Sequence, residues 1–390
     1  MATEGEVVKN CMDKGLIPIL LTVFLLAFGM SFVAPLIPLL LQDRGASSAT
    51  IGQIATTYFL IFTITSSFLG RRIERVGSKK MIMCGLSIFG LAILAMPYMA
   101  DPAFFYLIRT VQGVGSALLF APTEAAINIL SSPSKRASNM GLYGVVFAVG
   151  FAVGPGIGSW LYALNIAAPF IFAAVSSFCA LLVLFVGFEE TMVPVQKTEW
   201  GFLRLITSLK LPLTAAACYA VVEVAIGSFL SLYLDAIGIT GGALGMVFTF
   251  FAIGGALSPL PAGKIADAWG KRPVLKACGI LLVAVTIAFN VFQDYWSVCA
   301  MAGVVGLVAG ALYPVALALI GEIIPPEKMG TANASFSFAY GAGCIVGPLV
   351  TGWVLELFSI QYLFYPMTAS AILFVVLTVF DSPRNKVLPS

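Results

Sequence analysis

The sequence carries very little charge for its length. Only 10% of its 390 residues are Asp, Glu, Lys or Arg, and 60% are hydrophobic. A soluble domain has about a quarter of its residues charged, so this chain has too few charged residues to cover a surface that faces water. The bilayer is therefore expected to be its main solvent. Apart from one polar connection, the loops are too short to form a soluble catalytic domain.

Several residues and motifs that other function classes need are also missing. Histidine is absent, which excludes a histidine proton relay, a Ser-His-Asp catalytic set and a histidine-ligated metal. No Gly-x-x-x-x-Gly-Lys-Ser/Thr segment is present, so the chain has no such phosphate-binding loop for ATP. Six of the seven Cys fall within hydrophobic runs, which does not make a disulfide framework. We expect a protein that is not an enzyme, needs no cofactor or metal and binds no nucleic acid.

What the sequence contains instead is a series of long hydrophobic runs. A membrane-spanning helix needs about 20 apolar residues. We predict twelve spans, at 16–41, 49–70, 80–99, 102–131, 136–163, 167–188, 209–236, 242–263, 273–293, 295–323, 329–357 and 361–381. The first run is too long for a signal-peptide core and lacks a clear cleavage site, so we interpret it as the first span. The sequence thus predicts an all-α, multi-pass membrane protein.

The basic residues are distributed asymmetrically along the chain. Of the 21 Lys and Arg, all but Arg44 and Arg109 lie in the termini, in alternate loops or within four residues of those loops. Loops rich in Lys and Arg stay in the cytoplasm, and an even number of spans agrees with both termini being cytoplasmic. We expect a protein of the inner (cytoplasmic) cell membrane, surrounded by the lipid bilayer and monomeric.

The chain also repeats itself at an offset of 193 residues (70 to 263). At this offset the first-half residues Gly70, Glu74, Gly77, Gly154 and Pro155 correspond to Gly263, Asp267, Gly270, Gly347 and Pro348. Each half has six predicted spans, so both have the same orientation, as in a parallel repeat. We predict two pseudo-symmetric six-helix bundles, residues 1–188 and 209–390, joined by a polar cytoplasmic linker at 189–208.

The loops after the second and eighth spans carry a motif that identifies a family. The first copy has Gly70, Glu74, Arg75 and Gly77, and the second has Gly263, Asp267 and Gly270. Both resemble the Gly-x-x-x-Asp-Arg-x-Gly-Arg-Arg signature of the major facilitator superfamily, although Ser78 and Ala268 each replace an Arg. Glycine permits a positive φ at a sharp turn, and an acid near a helix N-terminus is favoured by the helix dipole. The resemblance implies a cytoplasmic latch between the halves; a basic turn that only determines topology is the alternative.

The fourth predicted span carries a second motif of the same family. Arg109, Gln112, Gly113 and Gly115 resemble its Arg-x-x-Gln-Gly-x-Gly pattern. An Arg inside a span costs roughly 2.5–3.5 kcal/mol on insertion scales, so it is expected to face a partner or a wet cavity. The resemblance links this Arg to proton movement or to the charge of the substrate. The alternative is an Arg that extends toward the outer surface.

A glycine pattern in the fifth predicted span favours export. Gly141, Gly150, Gly154, Pro155 and Gly158 resemble the antiporter motif of the superfamily, with Ser instead of the final Gly. Small residues that end in a proline kink form a groove in which another helix packs closely. Ordinary small-residue packing is the alternative. The corresponding pair in the eleventh span is Gly347 and Pro348.

Two acids, Glu124 and Glu223, fall within predicted spans. The resemblance implies that the first, fourth, seventh and tenth spans line a central cavity. Glu223 lies midway along the seventh span, with Tyr219 one turn earlier on the same face, and a carboxylate there needs a proton or a cation. We predict Glu223 as the main proton and cation site and Glu124 as a secondary one, with a packing role as the alternative for each. Candidate wall residues for apolar and cation–π contact are Phe120, Tyr219 and Tyr313.

Together these patterns predict a secondary active transporter with the major facilitator fold, similar to the drug:proton antiporter branch. Its substrates would be small amphipathic or hydrophobic molecules, exchanged outward for protons. Three other possibilities remain: a sugar or lysolipid exporter, a proton symporter for an organic anion paired with Arg109, and a membrane sensor or partner subunit that transports nothing.

Overall fold

The computed structural model describes residues 4–132, 135–189, 209–324 and 329–379; the side chains of residues 4–14, 70–74, 136–137, 330 and 379 are not described. Helices account for most of these residues, which confirms the all-α prediction. The helices are α1 (Glu4–Val33), α2 (Leu36–Asp43), α3 (Ser48–Val76), α4 (Ser78–Ala95), α5 (Pro102–Leu130), α6 (Arg136–Leu164), α7 (Ala168–Gly187), α8 (Lys210–Ala236), α9 (Gly241–Leu257), α10 (Pro259–Trp269), α11 (Lys271–Ala288), α12 (Tyr295–Ile323), α13 (Met329–Leu357) and α14 (Phe364–Val379). Except for Glu189, the predicted linker lies outside the described residues.

The predicted spans coincide with these helices, with two interruptions. Within the described part of the chain, ten helical segments are long and apolar enough to cross a membrane, and the pair α9–α10, bent by 41°, makes an eleventh. The remaining predicted span matches α11, which is only 18 residues long and includes Lys271, Arg272 and Lys276. The first span is divided between α1 and α2 around Pro35, because proline has no N–H to donate and its ring crowds the preceding turn.

The described helices form two compact units, one within residues 1–36 and 57–196 and the other within residues 37–56 and 197–390. In the first unit α1 packs against α6 and α7, and α4 packs against α5 and α7. In the second, α8 packs against α13 and α14, and α11 packs against α12 and α14. These four pairings correspond one to one along the repeat, so the two halves of the sequence fold with the same internal pattern.

Residues 37–56 belong to the second unit, although they lie in the first half of the sequence. A Cβ on Gly52 would overlap the carbonyl oxygen of Pro348, and a Cβ on Gly352 would lie 2.7 Å from the carbonyl oxygen of Ser48. The Glu356 carboxylate also accepts a hydrogen bond from the Ala49 amide (3.3 Å). This small-residue contact accounts for a unit boundary that differs from the boundaries we predict from sequence, 1–188 and 209–390.

Each motif loop between α3 and α4 and between α10 and α11 is reduced to one residue. Gly77 separates α3 from α4, and Gly270 separates α10 from α11. Their φ,ψ angles are 90°, 150° and 92°, 147°, a region essentially restricted to glycine. The rest of each motif is helical, because polar residues by themselves do not end a helix. Positive φ is therefore needed at the second glycine of each copy, while Gly263 sits within α10.

Replacing either turn glycine should destabilise the protein. We expect Gly77→Ala and Gly270→Ala to lower the free energy of unfolding by about 1–3 kcal/mol, because alanine is strained at this φ. Gly263→Ala is the matched control: a Cβ there meets nothing within 4 Å, and alanine favours a helix over glycine by up to about 1 kcal/mol. Apparent melting temperatures in detergent measure all three, and equal values for Gly270→Ala and Gly263→Ala would contradict the expectation.

Candidate substrate and proton sites

Glu223 lies half-buried on α8 and is held by a tyrosine of the neighbouring helix α13. The Tyr340 hydroxyl donates a hydrogen bond of 2.8 Å to Glu223 Oε2. The Tyr219 hydroxyl, one turn earlier on α8, is also within hydrogen-bonding range of this carboxyl. The helices come this close because glycines of α13 face α8: a Cβ on Gly347 would lie 3.0 Å from the Val221 Cα. The carboxyl is thus held by the Tyr340 phenol, with the Tyr219 phenol close by, in the second unit.

A cluster of three tyrosine rings lies beside this carboxyl. The ring centroids of Tyr219, Tyr313 and Tyr340 are 5.7–5.9 Å apart in each pair. Phe336 extends the cluster, with its ring 4.9 Å from that of Tyr313. A cation within about 6 Å of an aromatic centroid is attracted to the ring face. A carboxylate among three such rings can therefore hold either a proton or an organic cation.

The structure brings together Glu223, Tyr219 and Tyr313 from the sequence prediction, and it adds Tyr340. The sequence signal for Tyr340 was its spacing, three residues before Gly343 in the eleventh span. Residues three and four apart share a helix face, and a Cβ on Gly343 would contact Ala220 of α8 at 2.7 Å. The face that carries the small residues thus also carries the missing partner of Glu223.

Arg109 and Gln112 form a polar cluster on α5 in the first unit. Arg109 Nη1 donates to Gln112 Oε1 at 2.8 Å, as the i, i+3 spacing allows. The guanidinium carbon lies 5.4 Å from the centre of the Tyr58 ring, and the Tyr58 hydroxyl donates to Ser116 at 2.9 Å. Arg109 Nε is buried and donates to no acceptor among the described residues. Gln112 is therefore a partner of Arg109, and the Nε–H of the guanidinium has no acceptor among the described residues.

Glu124 and Phe120 lie further along α5, in the same first unit. Glu124 is exposed and within hydrogen-bonding range of Tyr143 of α6. The Phe120 ring contacts the rings of Phe62 and Phe147 edge-on, at 6.2 Å and 6.0 Å. This acid is next to phenylalanines and one tyrosine, whereas Glu223 is among three tyrosines. The two predicted acids thus belong to different units and have different surroundings.

The glycine motif of α6 faces α1 directly. A Cβ on Gly150 would lie 2.8 Å from the Phe24 carbonyl oxygen, and one on Gly154 would overlap the Ser31 side chain. Pro155 lies within the same helix. Gly141 is different, because a Cβ there meets nothing within 4 Å. The close-packed groove therefore begins at Gly150, one motif position later than the sequence pattern suggests.

The second copy of the loop motif forms an ion-pair cluster. Lys271 Nζ lies 2.6 Å from Glu322 Oε1 at the end of α12 and 3.4 Å from Asp267 Oδ1 of α10. The hydrogen bond to Glu322 is the main reason why the pKa of Lys271 is raised above its ordinary value. At the repeat offset the residues equivalent to Lys271 and Glu322 are Ser78 and Ile129, so the repeat does not supply this pair in the first half.

The first copy of the motif is described less fully. Gly70 and Glu74 lie in α3 at positions whose side chains are outside the described set, and Arg75 is exposed. A role for Glu74 therefore stays a prediction.

We expect Glu322 to stabilise this ion-pair cluster more than Asp267 does, because its contact with Lys271 is shorter. Exposed ion pairs contribute about 0–1 kcal/mol, so Glu322→Gln should raise amide hydrogen exchange at the start of α11 without unfolding the protein. Asp267→Asn is the matched comparison and should have the smaller effect. A larger effect of Asp267→Asn would show that the motif acid, not Glu322, carries the contact.

Known proteins support the fold that this geometry describes. The sequence profile of the Major Facilitator Superfamily matches residues 19–214 and 212–390. The chain is 26% identical over 375 residues to the uncharacterized MFS-type transporter YfkF of Bacillus subtilis, with 94% of this chain and 95% of that protein covered. It is 24% identical over 356 residues to the quinolone resistance protein NorA of Staphylococcus aureus, with 88% of this chain and 91% of that protein covered.

Solved transporter structures share this architecture, and two of them are named for the substrates that they carry. A bacterial homolog of the human lysosomal transporter Spinster has a TM-score of 0.77 at 14% identity and covers 96% of this chain and 98% of its own. The nucleoside transporter NupG has a TM-score of 0.74 at 14% identity and covers 95% and 99%. The human organic anion transporter MFSD10 has a TM-score of 0.66 at 17% identity and covers 94% and 99%. The chain belongs to the major facilitator superfamily and is a multi-pass membrane transporter, not an enzyme.

Proposed function

We propose that this transporter is a proton-coupled exporter of small amphipathic or hydrophobic compounds, cationic ones among them. It would act as a monomer in the bacterial cell membrane with both termini in the cytoplasm. The observation that carries the proposal is the Glu223 carboxyl, half-buried within a helical unit beside a cluster of three tyrosine rings, one of which donates to it.

The physical basis is competition for one carboxylate. A charged carboxylate inside a membrane helix bundle is costly unless a proton or a cation neutralises it. The tyrosine rings attract a cation and their edges provide apolar contact. Binding of a cationic substrate and binding of a proton at Glu223 are then mutually exclusive, which is the requirement for exchange. Glu124, beside Phe120 and Tyr143, would be a second titratable site in the other unit.

Relatives by sequence agree with this proposal. NorA is named for quinolone resistance, and a further relative, multidrug resistance protein 2 of Bacillus subtilis, is 25% identical over 367 residues, covering 90% of this chain and 91% of that protein. The glycine groove of α6 is the conformational part of the proposal, since it allows α1 and α6 to approach closely. The cytoplasmic motif around Gly270 and Asp267 would adjust the balance between conformations.

A second candidate function rests on Arg109. Its buried Nε has no partner among the residues described, so this guanidinium offers one N–H to an anion. An organic-anion symporter would use this group instead of Glu223. Export of a sugar or a lysolipid would use neither the positive charge of Arg109 nor the negative charge of Glu223 directly.

Transport by the purified protein in proteoliposomes distinguishes these functions. Lipophilic cations, organic anions, a sugar and a lysolipid are each measured with and without an imposed pH gradient. We expect the cations to move uphill in the direction opposite to the downhill flow of protons, and we expect no movement of the sugar. Gradient-driven movement of the anions alone would replace the proposal by the Arg109 candidate, and no movement of any of the four would exclude all of these substrate classes.

A further inference from the structure

We propose that Tyr340 determines which cations this site prefers: by occupying the Glu223 carboxylate with its own hydroxyl, it favours quaternary cations over protonated amines. The inference rests on the proposed cation site at Glu223 and adds a selectivity to it. Tyr340 is a specificity-determining residue in this view, because its contact competes directly with part of the substrate.

The geometry gives Tyr340 two separate functions. Its hydroxyl donates to Glu223 Oε2 at 2.8 Å. Its ring stacks on that of Tyr219, at 5.9 Å with the planes 24° apart, and meets the ring of Tyr313 nearly edge-on. The hydroxyl therefore occupies the acid, while the ring forms one wall of the aromatic cluster.

Two kinds of cation meet this arrangement differently. A quaternary ammonium or phosphonium ion has no N–H, so it is attracted by the ring faces and by the charge of Glu223 without needing a hydrogen bond. A protonated amine has an N–H, and the strongest contact available to it is a charge-assisted hydrogen bond to a carboxylate oxygen. A carboxylate oxygen can accept more than one hydrogen bond, but Oε2 already accepts the Tyr340 hydroxyl. An approaching N–H therefore competes with that hydroxyl for space and for the negative charge of this oxygen.

A phenylalanine at this position separates the two functions. Tyr340→Phe keeps the ring and removes the hydroxyl, so Glu223 Oε2 becomes free for a substrate N–H. We expect the affinity for a protonated amine, relative to its quaternary analogue, to rise about tenfold, the ratio that one hydrogen bond of ordinary net strength corresponds to. Any change in how readily Glu223 takes up a proton affects both cations equally and cancels in this ratio.

The probes are an aryl-alkyl dimethylamine, fully protonated at the assay pH, and the same molecule with a third N-methyl group. Displacement of radiolabelled tetraphenylphosphonium from the purified, intact protein gives the two dissociation constants. The wild-type protein should bind the quaternary probe more tightly, and this preference should shrink or reverse in Tyr340→Phe. The control is Tyr313→Phe, which removes a hydroxyl from the same cluster and keeps the Tyr340 hydroxyl on Glu223; it should leave the ratio unchanged.

The outcomes separate this inference from the proposed function. Equal shifts for both probes in Tyr340→Phe, or a wild-type preference for the amine, would overturn the role of Tyr340 and leave the cation site standing. Binding of tetraphenylphosphonium that is the same in wild type and in Glu223→Gln would overturn the cation site itself. The wild-type measurement does not depend on the folding of Tyr340→Phe, and a wild-type preference for the amine overturns the inference by itself.

Discussion

Glu223→Gln is expected to reduce transport driven by a pH gradient to the level of protein-free vesicles, while the protein still folds. The amide has nearly the shape of the carboxyl and still accepts the hydrogen bond from Tyr340, so the packing of α8 against α13 is preserved. The amide binds no proton and carries no negative charge, so neither the proton nor the cationic substrate finds its partner at this site. The effect is measured as the accumulation of substrate in proteoliposomes while an imposed pH gradient drives protons out of them.

Asp235→Asn is the matched control for this experiment. Asp235 is exposed in the last turn of the same helix, so its replacement removes one carboxylate from α8 without touching the tyrosine cluster. It should transport at the wild-type rate. Uphill transport by Glu223→Gln at the wild-type rate would show that Glu223 is not the coupling acid and would direct attention to Glu124.

Gly154→Leu is expected to give a protein that inserts into the membrane but has lost coupled transport. The first carbon of a side chain at this position already overlaps the Ser31 side chain and lies 3.0 Å from the Phe28 carbonyl oxygen. Overpacking of this kind typically costs about 1–3 kcal/mol, and here the obstacle includes backbone, so α1 and α6 have to separate. Transport rate and the ratio of protons to substrate moved are the quantities to measure.

The same helix supplies the control for this prediction. Gly141 belongs to the same motif, yet a Cβ there meets nothing within 4 Å, so Gly141→Leu tests the loss of a glycine without the steric conflict. We expect Gly141→Leu to stay active. An active, fully coupled Gly154→Leu protein would mean that the close approach of α1 and α6 is not required during transport.

Much of the fold could be predicted from the sequence because the relevant properties are local. An apolar run of sufficient length predicts a helix, and the helices begin and end near the predicted bounds of most spans. The repeat offset predicted equivalent turns, and Gly77 and Gly270 indeed have nearly identical backbone angles. The break beside Pro35 follows from the missing N–H of proline, although a continuous span was predicted there.

The candidate site could be predicted only in part. Glu223 and Tyr219 share a face of one helix, so their spacing alone predicts that they are neighbours. Tyr340 is 117 residues away from Glu223 along the chain, and no local pattern states which helices pack together. Glu322 was missed for the same reason, since its contact with Lys271 joins residues 51 positions apart.

The sequence alone therefore determined that the protein lies in the lipid bilayer. It also determined the positions of the helices, the internal repeat and the acids that the spans contain. These follow from hydrophobicity, helix period and the backbone limits of proline and glycine, each of which acts over a few residues. Only the tertiary structure decided that Tyr340 holds Glu223, that the α6 groove begins at Gly150 and that residues 37–56 pack with the second unit. Each of these depends on how closely two helices approach, which is determined by small residues on both surfaces and not by either helix alone.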